Sequence, residues 1–577
     1  MPHYSVWAPD AHKVELVLDD RKIAMSSGER GWWHVHDAPA ADYGFSLDGG
    51  PTWPDPRSNW QPNGVHAMSR PMDHCQYTWH DQQWQGTPLS QAIIYELHVG
   101  TFTPEGTFDG VITKLDHLVD LGISHIELMP VNEFSGRRGW GYDGAFIYAP
   151  HSAYGGPAGL KRLVDACHIK GLGVILDVVY NHFGPEGGYA GKFAPYLTDR
   201  YRTPWGEAVN LDGPDSDTVR KFFIDNAIMW LSEYHADGLR IDAVHAFMDT
   251  SAVHFLEQLA AEVAKWARRA PRPCFLIGES DLNDPRVVRR WEEGGFGLDA
   301  QWSDDFHHAV HALLTGERTG YYADFGTLAD LAKAYRSAFV YDGRFSVHRR
   351  RTHGRPVGNM PGYRFVVCLQ NHDQVGNRAA GERLGHIAGP DLARVGAAMV
   401  LTSPFVPMLF QGEEWAASAP FQYFTSFQDP GLSAGVREGR RAEFAAFGWD
   451  PNDVPDPQSE ETFQRSKLKW LETVDEPHAS MLQWYRQLIA LRRRCGELGC
   501  SQVGEVEVDF DEQARWLRVR RGKIAILYNL ADHRQTLHIE PGRTREILLS
   551  SKQDVQSRER YVELPASSVI ILGPRET

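Results

Sequence analysis

The chain has 577 residues, 59 Lys and Arg against 75 Asp and Glu, and a formal net charge of −16 at pH 7. That length exceeds one ordinary domain and leaves room for a large catalytic core with two smaller modules. The acidic balance excludes a nucleic-acid binder, which needs a basic surface to neutralise phosphates, and suits an enzyme for neutral substrates. Residues 1–85 hold short runs such as Val14-Glu15-Leu16-Val17-Leu18 and Trp32-Trp33-His34-Val35-His36 between Gly, Asp and Pro turns, which predicts a small antiparallel β-sandwich. Its end is placed near Gln85-Gly86-Thr87-Pro88.

From Ile93 the pattern changes to strands alternating with amphipathic helices. Helical faces are expected at Ile112, Leu115, Leu118 and Val119, then at Leu160, Leu163, Val164 and Cys167, and then at Val219, Phe222, Phe223, Asn226 and Trp230, the last helix capped by Asp215 or Ser216. Eight strand candidates lie at residues 93–97, 125–129, 173–176, 239–241, 274–277, 298–302, 365–369 and 406–410. That number and the βα alternation predict an α/β fold, a (β/α)8 TIM barrel over residues 86–498, rather than an open doubly wound sheet. The Gly-, Pro- and Tyr-rich segment 183–215 reads as a long excursion after the third strand, flanking the substrate. After a helix near Met481–Arg494, β-like runs return, and residues 499–577 are expected to form an antiparallel β-domain.

Four of the strand candidates end in acids: Asp177, Asp242, Glu279 and Asp373 sit at or just beyond the C-terminal ends of apolar runs, where barrel enzymes keep their sites. Cleaving an acetal between sugars needs one carboxyl group to protonate the leaving oxygen and another to meet the positive anomeric carbon. Asp242, two residues from Arg240, fits the second role, since a neighbouring guanidinium keeps a carboxylate charged and nucleophilic. Glu279 follows the apolar Phe275-Leu276-Ile277, and desolvation there would raise its pKa and suit it as the acid. A separation of roughly 5 to 5.5 Å would imply retention of anomeric configuration and a wider gap inversion. Asp373 is expected to bind ring hydroxyls and support the positive charge, His182 and His372 to hydrogen-bond the same sugar, and Tyr142 to stack on it. Asp177 is read as supporting Arg240. His245 is either a sugar contact or a satisfied core histidine.

Other features are assigned to structure. Most of the 18 Trp, 21 Tyr and 27 Phe are core. The six scattered Cys show no zinc spacing or disulfide framework. No phosphate-binding glycine loop is present. The pairs Asp304-Asp305 and His307-His308 are rejected as a metal site on the expectation that neighbours on one strand point to opposite faces. No redox or nucleotide cofactor is expected and no residue is assigned to a metal, a structural Ca²⁺ being left open. Residues 1–10 lack a basic leader, and no run reaches the roughly 20 apolar residues of a membrane span, so a cytoplasmic protein is anticipated.

The stretches Asp177-Val178-Val179-Tyr180-Asn181-His182, Gly238-Leu239-Arg240-Ile241-Asp242, Glu279 and Asn371-His372-Asp373 resemble, in order, the motifs of the α-amylase superfamily of retaining glycosidases and transglycosidases. The resemblance implies Asp242 as nucleophile, Glu279 as acid/base and Asp373 as transition-state stabiliser, with Asn181 in support. Further stretches, among them Trp140-Gly141-Tyr142-Asp143-Gly144, residues 301–308, 371–378 and 420–425, and Val436-Arg437-Glu438-Gly439-Arg440-Arg441, are similar to a branch of the superfamily that cleaves the α-1,4 bond next to a terminal α,α-trehalose unit. The substrate so implied is maltooligosyltrehalose, with a synthase that makes it as pathway partner. One departure is Gly278, where the resemblance leads one to expect Ala. Two rivals stand beside this reading. A glucan branching enzyme shares the triad but passes the glycosyl group to a sugar hydroxyl. A non-catalytic glucan-binding protein would have no chemical need for three carboxylates.

Overall fold

The computed structural model describes residues 4–19, 21–36, 38–270, 272–445, 450, 454–539, 545–558 and 560–574. Eight parallel strands close into a barrel: Ile94–Leu97 (β1), His125–Leu128 (β2), Gly173–Val178 (β3), Gly238–Ile241 (β4), Phe275–Gly278 (β5), Ala300–Trp302 (β6), Phe365–Cys368 (β7) and Val406–Phe410 (β8), in the order β3-β4-β5-β6-β7-β8-β1-β2. These are the eight runs read from the sequence. A barrel strand is buried on both faces, so both of its alternating sets of side chains are apolar. Ile94, Ile175, Ile277, Val366 and Met408 fill the interior, while Tyr95, Ile126, Leu176 and Leu239 pack outward in the main core. Towards the C-terminal ends this inner row turns polar: Glu96 pairs in register with Glu127, and Asp177 with Arg240.

The helices Leu115–Leu121 (α1), Gly156–Ile169 (α2) and Ser216–Ser232 (α3) bury the predicted faces, apart from Val119, which is 41 % exposed, and Ile112, which lies half-buried on a separate short helix, Phe108–Ile112. Gly122 ends α1 with φ 95°, a left-handed conformation suited to glycine, and its N–H closes onto Leu118 O. The cap of α3 differs from expectation. Asp215 holds the N-cap position at φ 62°, but its side chain makes no capping bond. The Asp304-Asp305 and His307-His308 pairs lie not on a strand but on the helix Asp304–Thr315 (α4), so the argument from alternating strand faces does not apply. His307 there is satisfied by Leu369 O at 2.8 Å and the Tyr322 hydroxyl at 3.1 Å. A later helix, Pro430–Ala445 (α5), leads towards His478–Arg494.

Before the barrel, two antiparallel sheets of three and four strands pack around Trp7, Leu16 and Phe45. After it, a five-stranded and a three-stranded antiparallel sheet follow, and the strand Trp516–Arg521 alternates half-buried with buried residues as a one-sided strand should. Between β3 and α3 the excursion forms a hairpin, Leu197–Thr203 with Gly206–Val209, whose tip carries Trp205.

A strap of residues 77–84 crosses the N-terminal side of β3 and β4. Asp165 on α2 accepts from the His80 N–H at 2.9 Å and the Tyr77 hydroxyl at 3.2 Å. His168, also on α2 and fully buried, bridges Asp81 and Asp237 at 2.9 Å each. Asp237, just before β4, accepts in turn from Val174 N–H on β3 at 2.8 Å and from the Trp84 indole at 2.7 Å. His235 reaches Asp81 at 2.7 Å, and Arg272 lies 3.8 Å from Asp237. Burial alone would discharge His168, but the Asp237 and Asp81 carboxylates outweigh it and raise its pKa. The stability this contributes is complete below the ordinary imidazole pKa of about 6.5 and is lost as pH rises through the raised value. His168→Gln should therefore destabilise the protein by about 3–5 kcal/mol near pH 6. Melting at several pH values should show the deficit narrowing as pH rises through the raised pKa of His168, and a deficit independent of pH would count against a charged His168.

Candidate active site

Arg240 is fully buried, and the site is built on it. Residues two apart on a strand share a face, so Arg240 and Asp242 both point into the barrel. Arg240 Nη1 donates to both oxygens of Asp177 at 2.8 Å and to Asp242 Oδ1 at 2.9 Å. Its Nη2 forms an ion pair with Glu279 Oε2 at 2.9 Å, and the Trp302 ring covers the guanidinium at 4.2 Å. One cation thus gathers carboxylates from the ends of β3, β4 and β5. Ala243, held at φ 43°, donates its N–H to Glu279 Oε2 at 2.8 Å, so the turn after Asp242 locks Glu279 in place. Burial raises the pKa of Glu279 although Arg240 opposes it. Burial likewise pushes Asp177 up to about 7 against the pull of Arg240.

The remaining residues close around these acids. Asn181 Nδ2 donates to Asp242 Oδ2 at 2.8 Å, fixing the carboxylate from its other side. His182 donates through Nε2 to the Tyr142 carbonyl at 3.0 Å, and burial lowers it to about 4, leaving it neutral, so Nδ1, which lies against Asn181 Oδ1, carries no proton to donate there. The Tyr142 hydroxyl donates to Asp177 Oδ2 at 2.5 Å, and His372 stacks on its ring with centroids 5.1 Å apart. One face of Tyr142 is therefore taken by protein, and only the rest of the ring can meet a sugar. His372 Nδ1 donates to Glu96 Oε1 at 2.5 Å and its Nε2 lies 2.8 Å from the Tyr142 hydroxyl. Burial lowers His372, but Asp373 and Glu96 prevail and bring it up to about 10. Asp373, more exposed, takes an N–H from Asn377 at 3.0 Å.

A cleft of about 420 Å³ opens above, lined by Asp242, Glu279 and Asp373, by Tyr142, His182, His245 and His372, and by Trp140, Asp143, Trp205, Asn377 and Tyr423. All the residues expected from the sequence are brought together: seven line the cleft, while Arg240, Asp177 and Asn181 hold them from beneath. His245 faces the cleft with Nδ1 buried and unpaired. Trp205, Glu96, Trp302 and Asn377 were not anticipated. Glu96 carried the same signal as the four acids, an acidic residue at the end of a predicted strand. Trp205 reaches the cleft from the hairpin tip and stacks on His182 at 4.8 Å and 2°, a contact no local pattern encodes. At Gly278, an added methyl would meet Leu298 at 2.9 Å and Val287 at 3.2 Å, so the departure from Ala is matched by tighter packing behind Glu279.

An eight-stranded parallel barrel with three carboxyl groups around one cleft at its C-terminal face defines a glycosidase of the α-amylase superfamily. Residues 63–202 match the family model for the alpha amylase catalytic domain, and residues 502–571 match a domain of unknown function, DUF3459. The chain is 48 % identical to the malto-oligosyltrehalose trehalohydrolase of a Rhizobium species over 99 % of its own length and 97 % of the relative's. It is 47 % identical to that of Mycobacterium tuberculosis over the whole of both chains. The chain belongs to the malto-oligosyltrehalose trehalohydrolase family. A 1,4-alpha-glucan branching enzyme of Pseudoalteromonas atlantica is 29 % identical over only 58 % of this chain. Among solved structures, a Salmonella typhimurium protein described as an alpha amylase superposes with a TM-score of 0.91, at 38 % identity over 99 % of this chain and 97 % of that one. A pullulanase from an Anoxybacillus species, with a TM-score of 0.73 and 19 % identity, shares the fold. Among the described residues no helix is long and apolar enough to cross a membrane.

The position of Glu96 yields a pH-dependent expectation. Glu96→Gln keeps the shape but removes a charge that holds His372 cationic, so His372 should lose its proton within the neutral to alkaline range. Activity should fall by about tenfold near pH 8.5 and far less near pH 6. Profiles of kcat/KM against pH check this, and a basic limb unmoved from wild type would contradict it.

Proposed function

We propose that the protein hydrolyses the α-1,4-glucosidic bond next to the terminal α,α-trehalose unit of maltooligosyltrehalose, releasing trehalose and a shortened maltooligosaccharide. The observation that carries this reading is the pairing of Asp242 and Glu279 on one guanidinium, in a chain of this family along its full length. Glu279, biased towards its protonated form by burial, gives its proton to the glycosidic oxygen as the bond to the trehalose leaving group breaks. Asp242, held by Arg240 and Asn181, attacks the anomeric carbon to form a glycosyl ester. Water then enters, Glu279 takes back a proton, and the sugar leaves with its α configuration kept. Asp373 and the His372 imidazolium contact the same ring. The substrate requires a preceding enzyme that turns the reducing-end α-1,4 linkage into an α,α-1,1 linkage, and such a synthase is the pathway partner we assign.

Chromatography of the products tests the reading. Maltooligosyltrehalose should yield free trehalose, and plain maltooligosaccharide should yield little glucose or maltose. Chain transfer, seen as longer or branched glucans without trehalose, would overturn it. Glu279→Gln should lower kcat by about 10²- to 10⁴-fold. Because the acid must be protonated to act, kcat/KM of the wild type should decline as pH rises through the raised pKa of Glu279. Proton NMR of the first-formed maltooligosaccharide should show the α anomer, whereas the β anomer would rule out the ester on Asp242.

A further inference from the structure

We infer that Arg440, on the outlying helix α5, is a positioning residue for Asp373, acting through the side chain of Asn377. The inference rests on the role assigned above to Asp373. The Arg440 side chain is only 13 % exposed, its guanidinium held between the rings of Tyr423 at 4.9 Å and Phe444 at 4.8 Å. Nη2 donates to Gly376 O at 3.0 Å, and Nη1 lies 3.4 Å from Asn377 Oδ1 and 3.1 Å from Glu443 Oε2. Asn377 Nδ2 in turn donates to Asp373 Oδ1 at 3.0 Å.

Chemistry fixes the direction of this chain. A guanidinium can only donate, so it must face the amide oxygen of Asn377. The opposite end of the amide, with its two N–H groups, is then turned to the Asp373 carboxylate. Without Arg440 the amide is free to rotate, and Asp373 loses a donor that orients it in the cleft. The same cation also braces Tyr423, a second wall of the cleft, so α5 reaches the site through two of its lining residues. Lysine keeps the charge but offers one ammonium in place of a planar fork, and it cannot span Gly376 O and Asn377 Oδ1 together.

The test is a double-mutant cycle with kcat and KM measured separately. Arg440→Lys and Asn377→Leu should each lower kcat by about tenfold with KM changed by less than about threefold, and the double variant should be no worse than Asn377→Leu alone. Asn377→Asp supplies an acceptor where Asp373 needs a donor, so its kcat relative to wild type should rise as pH falls and the new carboxyl gains a proton. Wild-type kcat in Arg440→Lys, additive losses in the double variant, or a pH-independent ratio for Asn377→Asp would overturn the inference. Thermal melting separates loss of the fold from loss of orientation. Full kcat in Asp373→Asn would instead sink the role given to Asp373, and so the reading beneath, whereas collapse of Asp373→Asn beside an unaffected Arg440→Lys would sink the Arg440 relay alone.

Discussion

The arrangement of this site follows from one buried cation. Arg240 has no access to water, and its charge is tolerated only because Asp177, Asp242 and Glu279 surround it and Trp302 covers one face. A buried guanidinium with three partners leaves each carboxyl group little freedom. Asp177 is taken on both oxygens, Asp242 on one with Asn181 on the other, and Glu279 shares Arg240 with the Ala243 N–H. Asp242 and Glu279 so differ in surroundings while standing on the same cation, which is how two carboxyl groups on neighbouring strands come to suit different tasks.

That cation is fixed by the barrel from both ends. Arg240 is in register with Asp177 on β3 and Ile277 on β5, so its position depends on how those strands are set against each other. At their N-terminal side the Asp81, His168 and Asp237 bridge joins the strap, α2 and the start of β4, and Asp237 also grips Val174 on β3. A buried ionic bridge is a poor source of net stability but a strict specifier of geometry. Its placement under the two strands that carry Asp177, Arg240 and Asp242 is consistent with that use.

What was legible in the sequence was what the barrel demands of every strand. Continuous apolar runs marked all eight strands because each is buried on both faces, and an acid at the end of such a run marked the site because water reaches a parallel barrel there. Legibility stopped where tertiary contact decides. Asp215 looked like a helix cap, yet its φ of 62° leaves its side chain out of the role. The His307-His308 pair was placed on a strand although Phe306, Ala309, Val310, Leu313 and Leu314 repeat at helical spacing; that the polar side of this helix is buried as well is decided by tertiary packing. Trp205 enters the cleft from a hairpin tip, and nothing near it in the sequence speaks of sugar chemistry; Arg440 lies in a stretch that carried the resemblance, but its reach to Gly376 and Asn377 is a tertiary contact that the stretch does not encode.

The charge around the cleft completes the physical picture. Two buried cations, Arg240 and His372, face Asp177, Asp242, Glu96 and Asp373. Asp177, pushed up to about 7, and two further acids are biased towards their protonated forms. Burial raises Glu279, and burial together with the neighbouring Glu96 raises Glu127, whose oxygens find no hydrogen-bond partner inside the barrel. Were all six acids charged, repulsion inside a low-dielectric barrel would oppose folding; were the cations in excess, a positive anomeric carbon would be disfavoured. With acids more numerous than cations around the cleft, the arrangement suits the oxocarbenium-like transition state of the reaction proposed. It is set by fixed groups that need not reorganise as the bond breaks.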